Sequence, residues 1–229
     1  MLYDETAVRD NIRNREGKRV FFLGKEDRLT PSARDYLNRE RITILPAEQA
    51  KIHRHRLPGG GYMEEKPEHM THLYGDVLVY KSHPRIRFRG AVDTLEAELL
   101  LCQFHCKELC KPLQELLDLS RRLISCEVLG EPLKETTLCG LSEDDIRKRS
   151  HFPQEYYGQP HFMPEACHGA VILQLNRCRC AARSTELAAA AAFTDADGNC
   201  TRPDLLRALN RMSSMLYLLM IQQRAKLSL

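Results

Sequence analysis

Arg179, Arg183 and Glu186 fall at i, i+4 and i+7 within a stretch, 165–193, that is otherwise built largely from alanine, cysteine and leucine. At helical spacing this makes one narrow charged stripe on an apolar rod, and such a stripe needs a partner. The alanines at 188–192 let neighbouring helices approach closely. Two guanidinium groups one turn apart match the spacing of a polyphosphate. The competing reading is a solvated edge, in which an arginine and a glutamate three residues on make a surface pair worth about 0.3 kcal/mol.

At 229 residues the chain suits one main domain with a small appendage, or two modest domains. Charged residues make up 28% and the net charge is only +3, so there is no polybasic tail of the kind that holds nucleic acid. Met1-Leu2-Tyr3-Asp4-Glu5 lacks the form of a secretory signal, and no apolar run is long enough to cross a bilayer. The expectation is a cytoplasmic protein with neither nucleic acid nor membrane as partner. Nine cysteines without disulfide-like spacing fit that compartment. Cys102, Cys106 and Cys110, at i, i+4 and i+8 with His105 beside them, read as three thiols along one side of one helix. A straight helix offers zinc poor tetrahedral geometry, so packing against another helix is the favoured reading over metal binding.

The pattern predicts a small α/β unit over 1–45: a strand at 20–23, a helix at 31–41 capped by Thr30 with Pro31 at its first position, and a strand at 42–45. Residues 46–70 read as a linker or mobile loop around Pro58-Gly59-Gly60-Gly61, with His53 and His55 solvated. The remainder, 71–229, reads as a helical bundle. After an extended 77–80, a helix is expected from near Gly90 to Pro112, another over 113–126, and a shorter one capped by Ser142. An aromatic-rich loop at 151–164 and two long helices, about 165–193 and 202–225, follow. The fold class is therefore mainly α, a ferritin-like bundle of four to five long helices with a small α/β amino-terminal unit. Asp195-Ala196-Asp197-Gly198-Asn199 hints at a calcium loop, but Phe193 takes the first ligand position and no glutamate closes it, so a turn is expected.

Three further segments carry candidate chemistry. Lys81 precedes a helix start, a reasonable phosphate contact, and Asp93 is expected in that helix's opening turn, where the dipole favours a carboxylate that could hold an arginine. Asn210 is a polar group in an apolar-periodic helix. Buried, it needs a hydrogen bond, whose loss costs about 1 to 3 kcal/mol; a helix-to-helix bond and a nucleotide grip are equally open.

Lys81-Ser82-His83-Pro84-Arg85-Ile86 with Gly90-Ala91-Val92-Asp93, the Arg179, Arg183, Glu186 helix, and Leu209-Asn210-Arg211-Met212-Ser213 resemble, in order and spacing, the ATP:corrinoid adenosyltransferases of the propanediol-utilisation type. Leu29-Thr30-Pro31-Ser32-Ala33-Arg34, Met163-Pro164-Glu165-Ala166-Cys167-His168-Gly169 and Arg202-Pro203-Asp204-Leu205-Leu206 extend the likeness, over nearly the whole chain, to the ethanolamine-utilisation branch. The resemblance implies a helical-bundle enzyme with ATP, cobalamin and Mg2+, which moves the 5'-deoxyadenosyl group of ATP to Co(I) for ethanolamine ammonia-lyase. By the same likeness Lys81, Arg183, Glu186 and Asn210 match ATP contacts, and Arg179 an arginine that meets the phosphates. Asp93 matches a carboxylate that pairs with an arginine across a subunit boundary. Phe162 is the candidate ring beneath the cobalt, although counting back from Pro164 puts His161 at that position; ordinary loop packing is the alternative. A homo-oligomer is implied, a trimer before a dimer, with a reductase, the ammonia-lyase or a microcompartment as further partners.

Two departures stand out. The glycine-rich, threonine-bearing ATP segment of the propanediol type has no counterpart, and His69-Met70-Thr71-His72-Leu73-Tyr74-Gly75 occupies its place. The histidine and Cys-Cys-x-x-Cys cluster found in some ethanolamine-branch proteins is replaced by Pro58-Gly59-Gly60-Gly61-Tyr62, so no metal site is expected there. The readings that compete with the enzyme are a non-catalytic nucleotide- or corrinoid-binding module and a thiol-based sensor.

Overall fold

The computed structural model describes residues 1–15, 17–50, 55–63, 65–135 and 137–227, and it divides into two compact units, Met1–Pro67 and Glu68–Leu229. The first runs β1 (Leu2–Tyr3), α1 (Glu5–Asp10), β2 (Arg13–Arg15), β3 (Lys18–Leu23), β4 (Arg28–Leu29), α2 (Pro31–Arg39), β5 (Thr43–Pro46) and a hairpin of β6 (His55–Arg56) and β7 (Tyr62–Met63). β3 pairs antiparallel with β2 and parallel with β5. The parallel pair requires a crossover, and α2 supplies it. Thr30 caps α2 by accepting the Ala33 N–H at 3.3 Å, and Pro31 opens the helix. Val8, Phe21, Ala33, Leu37 and Ile42 close a small core. His53 lies outside the described residues, while His55 is part of β6 rather than of a loop.

The second unit runs β8 (Met70–Tyr74), β9 (Val77–Tyr80), α3 (Pro84–His105), α4 (Cys110–Leu129), α5 (Glu143–His151), α6 (Pro153–Tyr157), α7 (Gly169–Phe193) and α8 (Pro203–Leu227). Four long helices, α3, α4, α7 and α8, surround one core that includes Phe88, Leu95, Leu99, Leu116, Leu123, Ile172, Leu209 and Leu216. Fully burying a side chain of that size stabilises by about 1.5–3 kcal/mol. The protein is thus mainly α, a helical bundle with a small α/β amino-terminal unit.

Local chemistry sets the helix ends and corrects several expectations. α3 begins at Pro84, six residues before Gly90, because proline suits a first helical position and His83 Nδ1 accepts the Arg85 N–H at 3.2 Å. Asp93 therefore sits in the third turn, beyond the reach of the positive helix end. α3 stops at His105, well short of Pro112, which lies inside the first turn of α4, where its missing N–H costs nothing. Cys102 is consequently on α3, Cys106 is its cap and Cys110 starts α4: the three thiols do not share one helix. Within the expected loop at 151–164, His151 ends α5 and 153–157 form α6. Ser142 caps α5 in a reciprocal box with Asp145.

Side-chain bonds fix the register of the bundle. Thr185 Oγ1 donates to Ala91 O (3.1 Å) and Cys178 Sγ to Glu98 O (3.3 Å), so α3 and α7 run antiparallel in close contact. The residues between them are small: Cys178, Ala182, Thr185 and Ala189 are all buried. At one end of the bundle the buried Glu127 of α4 accepts the Nε–H groups of Arg85 and Arg89 from α3, and Arg89 also donates to Leu73 O of β8 at 2.8 Å. A buried carboxylate needs such paired donors, since removal of one partner of a buried pair costs about 3–5 kcal/mol.

A second charged anchor holds the start of α8. Burial alone would raise the carboxyl pKa of Asp204, but hydrogen bonds from Arg202 and from the Leu133 N–H outweigh it and hold the group at about 2, below its ordinary 3.8. The folded value is depressed, so this stabilisation is complete above the ordinary carboxylate range and is lost as pH falls towards 2. Asp204→Asn is expected to lower stability at neutral pH by about 2 kcal/mol and to flatten the acid side of the profile. Urea unfolding between neutrality and pH 2 checks both; equal losses for the two proteins across the acid range would contradict it.

Candidate functional site

The charged stripe of α7 has a counterpart on α8. Asn210, Tyr217 and Arg224 recur every seven residues along α8 and so share one face, as Arg179 and Glu186 do on α7. The two helices are antiparallel, which sets Glu186 opposite Asn210 and Arg179 opposite Tyr217. Asn210 Nδ2 donates to Glu186 Oε1 at 3.1 Å. Asn210 is exposed rather than buried, so it is a surface link along the seam, and its side-chain Oδ1 accepts an Nη–H of Arg211 (3.0 Å).

Two turns away along the seam, Arg179, His161, Phe162, Met163, Pro164, Tyr217 and Met220 enclose a cleft of about 310 Å3. Asn176, one turn earlier on α7, accepts both the Nε–H (3.1 Å) and an Nη–H (2.9 Å) of Arg179 and so orients its fork. Phe162 is half-buried against His168, Tyr217 and the Arg224 guanidinium, which lies 4.6 Å from its ring centre. His161 is exposed and stacks on Tyr217 with ring centres 5.8 Å apart. Both residues singled out in this loop therefore line one wall, and Met163, 79% exposed, stands at the mouth.

Arg183 is exposed between Arg179 and Glu186, and among the described residues it has no ion-pair partner. Asp93 and Lys81 are also exposed, and no hydrogen bond or ion pair among the described residues joins either to the seam. The Thr185–Ala91 contact puts Asp93 level with Arg183 along the antiparallel pair. Lys81 directly follows β9, with its backbone N–H donated to His69 O at 2.9 Å. The segment that replaces the glycine-rich ATP stretch is thus mostly strand β8, turned at Gly75 into β9.

Size does not decide the site. A larger cavity of about 540 Å3, lined by Leu100, Gln103, Phe104, Lys107 and Lys111 among others, contains none of the candidate residues. Among the described residues no three histidine, cysteine or acidic groups are placed to hold a metal ion. The thiols of Cys102 and Cys106 are buried between α3 and α7, with Cys106 Sγ directed at Gln174 Oε1 (3.4 Å). Hydrogen bonding to Cys178 and burial push the Cys102 thiol far up, and burial together with Cys102 pushes Cys106 up to about 12. Such thiols stay protonated and unreactive, which argues against a thiol sensor.

Residues 61–223, which include Lys81, Asp93, the 161–164 loop, Arg179, Arg183, Glu186, Asn210 and Tyr217, match the sequence pattern of the cobalamin adenosyltransferases. The chain belongs to the cobalamin adenosyltransferase family. Within it, the corrinoid adenosyltransferase EutT of Salmonella typhimurium is 35% identical over 97% of this chain and 92% of its own length. EutT of Escherichia coli K12 is 34% identical over 95% and 90%. No solved structure matches the chain. As an adenosyltransferase of the EutT type the protein is an enzyme acting on corrinoids, which sets aside the non-catalytic binding module.

Tyr217, Asn176 and Arg224 were not legible as site residues from sequence. Tyr217 sits in the run Met215-Leu216-Tyr217-Leu218-Leu219-Met220, which reads as core, and only its seven-residue step from Asn210 hints otherwise. The burial pattern also makes a chemical prediction: a disulfide reagent should titrate Cys167, Cys180 and Cys200 in the native adenosyltransferase and reach Cys102, Cys106 and Cys178 only after unfolding. Rapid native labelling of Cys102 or Cys106 would show that α3 and α7 do not pack as described.

Proposed function

We propose that the protein transfers the 5'-deoxyadenosyl group of ATP to the Co(I) ion of cobalamin, and that the adenosylcobalamin supplies ethanolamine ammonia-lyase. The observation that carries this reading is the α7–α8 seam, where Arg179 and the His161-Phe162 wall share one cleft and the Glu186–Asn210 pair continues from it. In the reaction the cobalt electron pair attacks the ribose C5' carbon. A cobalt–carbon bond forms, the C5'–O bond breaks, and its electron pair leaves with the triphosphate as cobalt passes from Co(I) to Co(III). Arg179 and Arg183 meet the growing charge on the leaving phosphates, the large electrostatic term in such a reaction. Lys81 adds a third cation, and Glu186 with Asn210 grips the nucleoside. Mg2+ would accompany the nucleotide, since it keeps most of its ligands from substrate and water, and would add positive charge against the leaving group.

The cleft is smaller than a whole corrinoid, so it takes one edge or face of the macrocycle while the rest remains outside. Phe162, with His161 beside it, forms the dry wall beneath the cobalt, excluding water and a lower axial ligand. Asp93 pairs with an arginine of a neighbouring protomer. A homo-oligomer is supported by the apolar residues that α3 and α7 leave uncovered, Leu100, Phe104 and Leu187 being 47%, 67% and 73% exposed; the family likeness makes it a trimer before a dimer. A reductase must deliver the Co(I) state. No helix among the described residues is long and apolar enough to cross a membrane, which agrees with a cytoplasmic protein working near or in a microcompartment.

Purified protein with chemically reduced cobalamin, ATP and Mg2+ should give a light-sensitive adenosylated product. Arg183→Ala should weaken ATP binding and lower kcat/KM by about 10- to 100-fold, as expected for a lost contact to the leaving group. Unchanged kinetics in that variant would remove Arg183 from the site.

A further inference from the structure

Tyr217 occupies a position that no role yet covers. Its hydroxyl lies 3.1 Å from His161 Nδ1 and 3.2 Å from the backbone nitrogen of Phe162. The other imidazole nitrogen, His161 Nε2, lies 3.1 Å from His151 O. A carbonyl oxygen only accepts, so Nε2 carries the proton and, in the neutral ring, Nδ1 is the acceptor. The Tyr217 O–H therefore donates to His161 Nδ1, while its oxygen accepts the Phe162 N–H. Every donor has an acceptor, and one side chain of α8 holds two consecutive residues of the loop. The rings reinforce this, with His161 and Phe162 both stacked on Tyr217 at 5.8 and 6.1 Å between centres.

We infer that Tyr217 is a positioning residue for corrinoid recognition: its hydroxyl clamps the 161–164 loop against α8 and so sets the wall that the macrocycle meets. A loop carries no helix or strand ladder to hold its backbone, and its placement must come from side-chain bonds of this kind. The clamp sits on the same α8 stripe as Asn210, seven residues on. One rigid helix thereby places the nucleoside grip and the corrin wall in a single register, and a misplacement of one reacting partner by about 1 Å is enough to cost a large factor in rate. The inference rests on the adenosyl-transfer reading above, and its first test does not depend on turnover.

Tyr217→Phe removes the hydroxyl and keeps the ring. In the full-length protein, hydrogen exchange at the Phe162 amide should become about fivefold faster, the factor that corresponds to one net hydrogen bond of ordinary strength. In the adenosylation assay the corrinoid KM should rise about tenfold while the ATP KM stays at the wild-type value. Tyr217→Leu, which also loses both ring stacks, should show a larger rise in the corrinoid KM than Tyr217→Phe. Unchanged amide exchange overturns the inference, as does faster exchange with an unchanged corrinoid KM or an equal rise in both KM values. Wild-type protein that forms no adenosylcobalamin would defeat the functional reading instead, and the amide-exchange measurement would still decide whether the hydroxyl holds the loop.

Discussion

Close antiparallel contact of α7 with both α3 and α8 is the constraint on which the site depends. It requires small side chains along α7, and the sequence supplies Cys178, Ala182, Thr185 and Ala189 there, with Thr185 bonded to a backbone carbonyl of α3. Larger residues at those positions would force the helices apart and change which turns face each other. With the contact made, the register of α7 on α8 follows, and Arg179 and Glu186 meet Tyr217 and Asn210 seven residues at a time. The charged groups are then a consequence of packing: they occupy the one face that the core leaves open.

The far end of the bundle is held by charge. Glu127 is fully buried, and its two arginines come from successive turns of α3, one of which also binds β8. The arrangement fixes how the β8–β9 hairpin, and Lys81 at its end, meets the first helix. A buried ion pair of this kind adds little net stability over an apolar substitute, but it penalises every alternative placement of its members. Asp204 and Arg202 act similarly where α8 begins, and Arg202 also donates to Cys126 O beside Glu127, so both charged anchors hold the same end of the bundle.

Much of this was legible in the sequence because it follows from periodicity. Four long helices, the Thr30 and Ser142 caps, and the stripe of Arg179, Arg183 and Glu186 are local patterns, and local patterns survive folding. What was missed depended on contacts between distant segments. Pro112 reads as a helix breaker until α4 is seen to start two residues before it, and Asp93 reads as a first-turn acid until His83 and Pro84 are seen to open α3. Asn210 reads as buried because its neighbours are apolar, yet it falls on the one exposed strip of α8. The cysteines illustrate the same limit: their spacing suggests one face, whereas a break at Cys106 distributes them over two helices.

The central claim is that one seam, lined by α7, α8 and the 161–164 loop, receives both the nucleotide and the corrinoid. A structure of the protein with cob(II)alamin and Mg-ATP bound tests it most directly. The account predicts the triphosphate within hydrogen-bond distance of Arg179 and Arg183, the ribose beside Glu186 and Asn210, and the cobalt above the Phe162 wall with its lower ligand gone. Nucleotide bound elsewhere on the bundle, or a corrinoid seated with its lower ligand in place and no contact to that loop, would contradict it.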